Sequence, residues 1–424
     1  MTSELYEDII SLILQFVSSD DSHPGVYKTL AACRQVCRQM AVLANPHFFQ
    51  DTQLTLRSAF GASRKPPAEA TRRLETFCQV LYDNPLVGKL VRRFSIVTYL
   101  APGESVHKWL YDSPHIPMIL SKLEHLTHFS LRNCAQPLIW SNFSLDISKA
   151  IQDIYKIPTL LSLDLQHILG LPLGWITRCE GLTYLSLDGI GHATQDADIL
   201  HANIEELRPG RIKEMVISAH IMYPLPAEYH QVYALRFFST TEKIKIIHDH
   251  DGSLNYVLPL VLQGVEKTLK EIELAVYNLA IKDWIWIGGM GNYHLEGLES
   301  IKIVHPSYRV DPKTLPEIIP WFLSHPHQPS QTVKTIHIVF IIAELPQTPG
   351  WRPYGRAEWT RIDPIVQLLY PSLTTFTLEF EEYFAIRPSR QIVLEHMERM
   401  VPGIVENPSI TLHVILPSGI TFDF

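Results

Sequence analysis

Two cysteines near the start of the chain, Cys33 and Cys37, have a spacing that suggests metal or redox chemistry. Four positions make about one helical turn, so a helix would place both thiolates on one side. A structural zinc ion normally takes four ligands, and two residues between cysteines is the more specific spacing. The nearest further ligand is His47, directly after Pro46. Because cysteine also packs as a small apolar side chain, the pattern favours packing and we predict no metal site.

Two other stretches contain polar or glycine-rich clusters. HDHD, from His248 to Asp251, gathers four potential ligands, but alternate residues of an extended segment face opposite sides. GGMGNY, from Gly288 to Tyr293, lacks the Lys-Ser/Thr pair of a phosphate-binding loop. The chain contains neither a Gly-x-Ser-x-Gly elbow nor a His-Glu-x-x-His helix. We therefore predict a protein that is not an enzyme, with no catalytic residues and no cofactor.

Composition restricts the classes of partner. The chain has 424 residues, is 46% hydrophobic and carries a formal net charge of −8. The excess of acidic residues argues against a general nucleic-acid binder, which needs cations for the phosphate backbone. The sequence has no apolar run of about 18 residues and no secretory signal, and its odd number of cysteines does not suggest a disulfide framework. These features predict a cytoplasmic or nuclear protein that binds neither nucleic acid nor membrane.

The first fifty residues predict helices. Apolar residues from Leu5 to Val17 recur at helical spacing, and the polar stretch from Ser18 to Gly25 ends this helix. A second helix is predicted from Val26 to Leu43, ending at Asn45-Pro46 because proline disfavours helix in the residue before it. The extended piece DTQLTL follows, and the stretch from Ser58 to Ala70 is the best candidate for a linker.

A six-residue pattern with an aliphatic residue or Phe at positions 1, 4 and 6 recurs beyond this linker. Its ten matches begin at Val91, Leu126, Leu160, Leu182, Ile212, Val232, Leu269, Leu298, Val333 and Leu373. Segments with helical periodicity, such as DISKAIQDIYKI and TRIDPIVQLLY, separate most of the matches. Alternating strands and helices at a spacing of about 20 to 40 residues predict parallel strands joined by helical crossovers, as in repeat proteins.

Position 5 of the pattern lies between the two inward-facing positions and should point away from the core. Its ten residues are Ser95, Ser130, Asp164, Ser186, Val216, Arg236, Glu273, Lys302, His337 and Thr377. Nine of these ten are polar, as a sheet with one solvent-facing side requires. This row, with the loops that follow the strands, is the predicted binding surface.

The repeated L-x-x-L-x-L pattern resembles the core of the leucine-rich repeat, and LTHFSLRNC keeps a cysteine where that repeat has Asn or Cys. The stretch from Glu4 to Leu56, with TLAACRQVCRQMAVLANPHFF at its centre, resembles an F-box followed by its exit strand. The resemblance implies an α/β protein with an F-box-like helical domain at 1–50 and a connecting strand, linker and helix at 51–84. A leucine-rich-repeat-like solenoid would follow at 85–424, with a curved parallel sheet and helices on its convex side.

The resemblance also implies a function. An F-box docks onto a Skp-type adaptor, which links it to a cullin–RING ubiquitin ligase, and the repeats bind a protein substrate. The residues expected to contact the adaptor are Leu5, Ile9, Ile10, Ile13, Leu14, Leu30, Val36 and Met40. The residues expected to bind substrate are Ser130, Asp164, Ser186, Arg236, Glu273, Lys302, His337 and Thr377.

Two positions depart from the usual F-box pattern. Met1-Thr2-Ser3 stands where Leu-Pro is usual, and Met40 stands where a Trp commonly follows the Cys-Arg pair. The alternative is therefore a leucine-rich-repeat binding scaffold with a vestigial F-box, outside any ubiquitin ligase. Several of the apolar residues assigned to the adaptor interface could also pack the helices against each other.

Overall fold

The computed structural model describes residues 10, 14, 26–36, 38–57, 66–99, 108–133, 137–171, 175–176, 179–188, 211–218, 239–248, 264–276, 296–306, 319, 323–324, 329–341, 361–381, 390–416 and 421–424. The fold is mixed α/β, with a large, mostly parallel sheet of thirteen strands, as predicted. Contacts divide the chain into two compact units, one of residues 1–186 and 193–203 and one of residues 187–192 and 204–424. The boundaries predicted at residues 50 and 84 stay predictions.

The first unit contains both helical and strand segments. Its described helices are α1 (Val26–Val36), α2 (Arg38–Gln50), α3 (Pro66–Asp83), α4 (Pro85–Leu90), α5 (Lys108–Tyr111), α6 (His115–Leu120) and α7 (Leu145–Ile154). Its strands are β1 (Asp51–Arg57), β2 (Arg93–Tyr99), β3 (His128–Asn133), β4 (Leu138–Ile139), β5 (Ser162–Gln166) and β6 (Ile168–Leu169). Strands β1, β2, β3 and β5 pair in parallel in that order, and β4 and β6 form a separate pair. The next strand, β7 (Tyr184–Asp188), contains the boundary between the units.

The second unit continues the strand pattern. Its strands are β8 (Glu214–Ser218), β9 (Lys243–His248), β10 (Glu271–Val276), β11 (Ser300–Pro306), β12 (Thr335–Ile341), β13 (Thr375–Glu381), β14 (Thr411–Ile415) and β15 (Thr421–Asp423). Its described helices are α8 (Ile362–Leu369), α9 (Arg390–Met400) and α10 (Pro402–Val405). Neighbours from β8 to β14 pair in parallel in chain order, whereas β15 pairs with β14 in the antiparallel sense.

The core is built from the positions that the repeated pattern singles out. Positions 4 and 6 of β2, Phe94 and Ile96, are 1% and 2% exposed, and the corresponding pairs of the other described repeat strands are similarly buried. Position 1 is buried as well, for example at Val91 and Leu126. Because alternate residues of a strand face opposite sides, burial of positions 4 and 6 places position 5 on the other face of the sheet.

A backbone hydrogen-bond motif also recurs from strand to strand. The Arg92 carbonyl accepts hydrogen bonds from the N–H groups of both Thr127 (2.7 Å) and His128 (3.0 Å). The same two-donor arrangement recurs at the carbonyls of Thr127, Leu161, Lys213, Glu242, Lys270, Glu299 and Lys334. Each carbonyl lies at position 2 of its repeat and accepts from positions 2 and 3 of the next, so the repeats are equivalent at the level of the backbone.

Two local predictions were wrong. The single helix predicted from Val26 to Leu43 corresponds to two helices, α1 and α2, and Asn45-Pro46 ends neither of them, because α2 continues through Pro46 to Gln50. The predicted linker from Ser58 to Ala70 is in part helical, since α3 begins at Pro66, and proline is well tolerated in a first helical turn. The extended piece DTQLTL is confirmed as a strand, and it becomes the first strand of the sheet.

The last strand, β15, is held on the edge of β14 by both backbone and side chains. Leu412 and Phe424 exchange two backbone hydrogen bonds, of 3.1 and 2.9 Å. Arg390 of α9 donates from its guanidinium to the Asp423 carbonyl (2.8 Å), and this guanidinium lies over the Phe424 ring. The Asp423 carboxylate also lies 2.6 Å from Nδ1 of His413 on β14. These contacts attach the antiparallel strand at several points.

Candidate functional site

The helical segment that precedes the sheet has a small apolar core of its own. Leu14, Leu30 and Ala44 are its fully buried members. The partly buried residues Ile10, Cys33, Leu43 and Phe48 pack against them. Cys33 is a free thiol within this cluster, which agrees with its predicted packing role. Cys37 lies outside the described residues.

The predicted adaptor-contact residues fall into different environments. Leu14 and Leu30 are 2% and 1% exposed, so their side chains pack inside the segment and a partner could not reach them without unfolding it. Ile10 and Met40 are partly buried, and Val36 is 72% exposed. Leu5, Ile9 and Ile13 lie outside the described residues. Val42 of α2, which the sequence did not single out, is 63% exposed.

Arg34 of α1 contacts α2 through both its charge and the plane of its guanidinium group. Its Nε donates a hydrogen bond of 2.6 Å to the side-chain oxygen of Asn45. Its guanidinium lies over the rings of both Phe48 and Phe49, at 4.4 and 4.8 Å from their centroids. These contacts hold the last turn of α2 against α1, which explains why the helix continues past Pro46.

We expect Arg34→Ala to destabilise the helical segment by about 1–2 kcal/mol, because it removes a hydrogen bond and two cation–π contacts. Arg34→Lys should recover little of this loss, since an ammonium group lacks the planar donor pattern of guanidinium. Hydrogen exchange of peptides covering α1 and α2 would measure the effect, with Arg72→Ala on the exposed side of α3 as the control. Wild-type exchange in Arg34→Lys would contradict this account.

In the first unit, the predicted substrate-binding positions are less accessible than expected. Ser130, Asp164 and Ser186 were predicted to face solvent, but they are only 7%, 6% and 3% exposed. The cause at Ser130 and Asp164 is Arg132, which lies two residues further along β3 on the same face. Its Nε donates to Ser130 Oγ (2.9 Å), and it forms an ion pair with Asp164.

On this face a partner would contact Arg132 and Gln166, and not the predicted Ser130 and Asp164. The side chain of Arg132 is 43% exposed, and Gln166, which donates to the Asp164 carboxylate at 3.1 Å, is partly exposed. Ser130 and Asp164 are neighbours in register on β3 and β5, so the row itself is arranged as predicted. Ser130 and Asp164 hold the Arg132 side chain in place through their hydrogen bond and ion pair.

In the second unit, four predicted residues occupy adjacent positions on successive strands. Glu273, Lys302, His337 and Thr377 are direct cross-strand partners on β10 to β13. The same row also contains Val216, Lys245 and His413. We call this row, from Val216 to His413, the position-5 row.

Arg236 was predicted to belong to this row, but it lies outside the described residues. Among the described strands, β8 pairs directly with β9. Lys245 of β9 therefore stands between Val216 and Glu273, where the sequence analysis had placed Arg236. The six-residue pattern does not match β9 because its position 1 is Thr241, which is fully buried but is not an aliphatic residue or Phe.

Charges of alternating sign follow one another along the position-5 row. The Glu273 carboxylate lies 2.7 Å from Lys245 Nζ and 3.6 Å from Lys302 Nζ. Two more rows near the start of these strands alternate in the same way. Their ion pairs are Lys213–Glu242, Lys270–Glu242, Lys334–Glu299 and Lys243–Glu271. Opposite charges at directly paired positions favour this register and disfavour a shifted one.

His337 is the fifth of the seven residues in the position-5 row. Burial lowers its pKa, and the nearby Lys302 lowers it further, while Glu379 and Glu273 act in the opposite direction. Its Nε2 lies 2.8 Å from Glu379 Oε2. The ring therefore lies close to a carboxylate, while its burial opposes the protonated form.

A second row on this face is apolar. Ala275, Val304 and Val339, two residues after the position-5 row on β10 to β12, are 0%, 7% and 1% exposed, and Ile247 packs against them. The interpretation of this face as uniformly polar is therefore incomplete. It presents half-exposed charges next to a buried apolar row.

Several buried ionisable groups have structural roles. Asp363 on α8 accepts hydrogen bonds from the backbone N–H groups of Gly403 (2.7 Å) and Ile404 (3.2 Å) at the start of α10, while burial raises the pKa of its carboxyl group. Burial also raises the pKa of the Cys179 thiol to about 12, so it remains protonated and unreactive at neutral pH. Neither group is arranged for catalysis.

In the described part of the chain, no cluster of three or more His, Cys, Asp or Glu side chains is placed to hold a metal ion. The helices among the described residues are all too short or too polar to cross a lipid bilayer. A scan against protein-family profiles finds no match to the chain, and a search of curated proteins finds no significant match either.

Proposed function

We propose that this protein is the substrate-recognition adaptor of an SCF-type ubiquitin ligase. In this proposal the helical segment at residues 1–50 docks a Skp-type adaptor that leads to a cullin, and the repeats bind a protein substrate. The chain itself performs no catalysis, because ubiquitin transfer belongs to other subunits. The resemblance to an F-box followed by leucine-rich repeats motivates the proposal.

The observation that carries the proposal is the exposure of Val36 and Val42, at 72% and 63%, on a small helical segment. Binding of an adaptor to this segment would remove such apolar side chains from water, which favours association. The segment leads directly into β1 of the parallel sheet. This order of a docking segment and a recognition array is the one that an adaptor needs.

The strand faces supply the groups for substrate recognition in this proposal. Arg132 in the first unit and Lys245, Lys302 and His337 in the second are partly exposed polar side chains on one face of their strands. These cations, their ion pairs and the imidazole of His337 suit a polar protein surface of mixed charge. The expected solenoid, with a curved parallel sheet, belongs to this proposal as well.

A leucine-rich-repeat binding scaffold with a vestigial F-box is the second candidate. The burial of Leu14 and Leu30 favours it, because two of the residues assigned to the adaptor interface are instead packed inside the segment. The missing Leu-Pro and the Met40 in place of Trp point the same way. This candidate keeps the binding faces but has no adaptor and no link to ubiquitin.

Isothermal titration calorimetry of the full chain with a purified Skp-type adaptor distinguishes the ubiquitin-ligase adaptor from the binding scaffold. We expect saturable binding by the wild-type chain, weakened at least about tenfold by Val36→Asp with Val42→Asp, since charges would enter an apolar interface. The matched control is Leu368→Asp, which alters a residue that is 69% exposed on α8. All three chains should melt at similar temperatures because the substituted residues are exposed.

Each result has a defined meaning. No binding by the wild-type chain would favour the scaffold, and equal binding by the Val36/Val42 variant would show that the docking surface lies elsewhere. Leu30→Asp is unsuitable as a test because it would disrupt the core of the segment. Affinity purification with the proteasome inhibited would then identify substrates as proteins captured by both the wild-type chain and the Val36/Val42 variant.

A further inference from the structure

A groove of about 670 Å³ lies between α6 and α7 of the first unit. Its apolar lining includes Leu120, Leu123 and Ile154, which are at most 3% exposed, and Met118, which is 51% exposed. This volume is in the range of pockets that hold a ligand or a few side chains. The groove is therefore lined by buried apolar side chains with the exposed Met118 beside them, and it lies on the helices, separate from the strand faces.

One face of α7 forms the side of this groove. Asp146, Lys149, Ala150 and Asp153 all line it, at spacings that place them along one side of a helix. The small side chain of Ala150, in the middle of this face, leaves room that a larger residue would fill. On the other side, Pro117 and Met118 come from the short helix α6.

The rim of the groove is acidic. Asp112, Glu124, Asp146 and Asp153 provide four carboxylates against the single ammonium group of Lys149, which leaves a formal charge of −3. All five of these residues are exposed. Lys156 compensates part of this charge through its 2.7 Å ion pair with Asp153. Phosphate groups would be repelled here, so neither a nucleic acid nor an anionic lipid surface suits the groove.

We propose that this groove docks a segment of a partner protein in which lysine or arginine side chains flank apolar anchors. The apolar anchors would enter the groove between Met118 and Ala150, and the cations would lie against Asp112, Glu124, Asp146 and Asp153. Charge complementarity at a rim accelerates association and selects the partner, while the buried apolar contacts supply most of the affinity. This site is independent of the F-box-like segment and of the strand faces.

The test uses the full-length chain and a fluorescein-labelled peptide in which pairs of leucines alternate with pairs of lysines. We expect saturable binding in fluorescence polarisation, and no binding of the matched peptide with glutamate in place of lysine. Glu124→Lys with Asp146→Lys should weaken binding by about tenfold or more, whereas Lys149→Glu should tighten it by about threefold. Ala150→Phe should also abolish binding, because it fills the groove without changing any charge.

Two controls distinguish the groove from a general attraction between an acidic chain and a basic peptide. Glu395→Lys with Glu398→Lys makes the same change in net charge on exposed residues of α9 and should leave binding unchanged. Circular dichroism should show the same fold for every variant. The proposal is overturned if the peptide fails to bind, if the α9 control weakens binding as much as the groove variant, or if Ala150→Phe binds like the wild-type chain.

Discussion

Replacing Gly88 with alanine is expected to destabilise the first unit by about 3 kcal/mol. A Cβ atom at this position of α4 would overlap the Lys122 carbonyl oxygen and approach the Lys122 carbonyl carbon to 3.2 Å. Backbone hydrogen bonds fix this turn, among them Lys122 N–H to Ile119 O and Leu123 N–H to Leu120 O. Because the obstacle is backbone, it cannot move aside as a flexible side chain could. Urea unfolding, with hydrogen exchange of β2 and β3 as a local measure, would test the prediction.

Two other glycines provide a graded comparison. At Gly181 a Cβ would lie 2.8 and 3.0 Å from two backbone carbonyl oxygens, so Gly181→Ala should cause a smaller but clear loss. At Gly297 the nearest atom would be 3.4 Å away, an ordinary contact, so Gly297→Ala should change stability by less than about 1 kcal/mol. If the three substitutions had equal effects, close packing at Gly88 would not be the cause.

A second large effect is expected from Glu273→Lys in the position-5 row. The Glu273 side chain is only 16% exposed and lies between Lys245 and Lys302. The substitution would place three ammonium groups at directly paired positions of β9, β10 and β11, and we expect a loss of about 3 kcal/mol in the second unit. Added salt should restore part of this stability by screening the repulsion. Denaturant unfolding at low and high salt would measure both effects.

A reversed row should rescue this variant. Adding Lys245→Glu and Lys302→Glu to Glu273→Lys restores alternating signs, so the triple variant should regain most of the lost stability. Glu271→Lys is the matched control on the same strand, because the Glu271 side chain is 51% exposed and its ion pair with Lys243 should contribute little. Equal losses in Glu271→Lys and Glu273→Lys, or no rescue by the triple variant, would mean that charge alternation does not stabilise the row.

Much of the sheet could be predicted because its strands follow simple rules of burial. An aliphatic residue or Phe at positions 4 and 6, with a polar residue between them, determines which face of each strand is buried. With an apolar residue also required at position 1, this rule found the described strands from β2 to β13, except β9 and the two-residue strands β4 and β6. In β9, the buried Thr241 occupies position 1, where the pattern requires an aliphatic residue or Phe. The pattern therefore missed this strand, although its other positions fit.

The candidate binding faces could be predicted only in part. Alternation indicates the face on which Ser130 and Asp164 lie, but it does not indicate that the long side chain of Arg132 covers them. The direct pairing of Val216 with Lys245, and of Lys245 with Glu273, likewise depends on which strands are neighbours in space. Such contacts join residues about 30 positions apart and leave no local pattern in the sequence.

The helix through Pro46 shows how tertiary contacts can outweigh local preference. Proline removes one helical hydrogen bond and disfavours helix in the preceding residue. The carbonyl that loses its donor belongs to Val42, which is 63% exposed, so water can replace the missing bond. Arg34 meanwhile binds Asn45 and stacks on Phe48 and Phe49, on both sides of the proline in sequence. These contacts could not be recognised before the two helices were seen side by side.

The antiparallel strand β15 has a consequence for how the chain behaves at high concentration. A parallel array has an open edge, where unpaired N–H and C=O groups can recruit a strand from another molecule and begin a filament. β15 occupies that edge on β14 and is only three residues long, with Asp423 exposed at its end. Because it runs in the opposite direction, a further parallel repeat cannot extend the array in the same register. We therefore expect the contacts of Arg390 and His413 with β15 to reduce association of molecules through this edge.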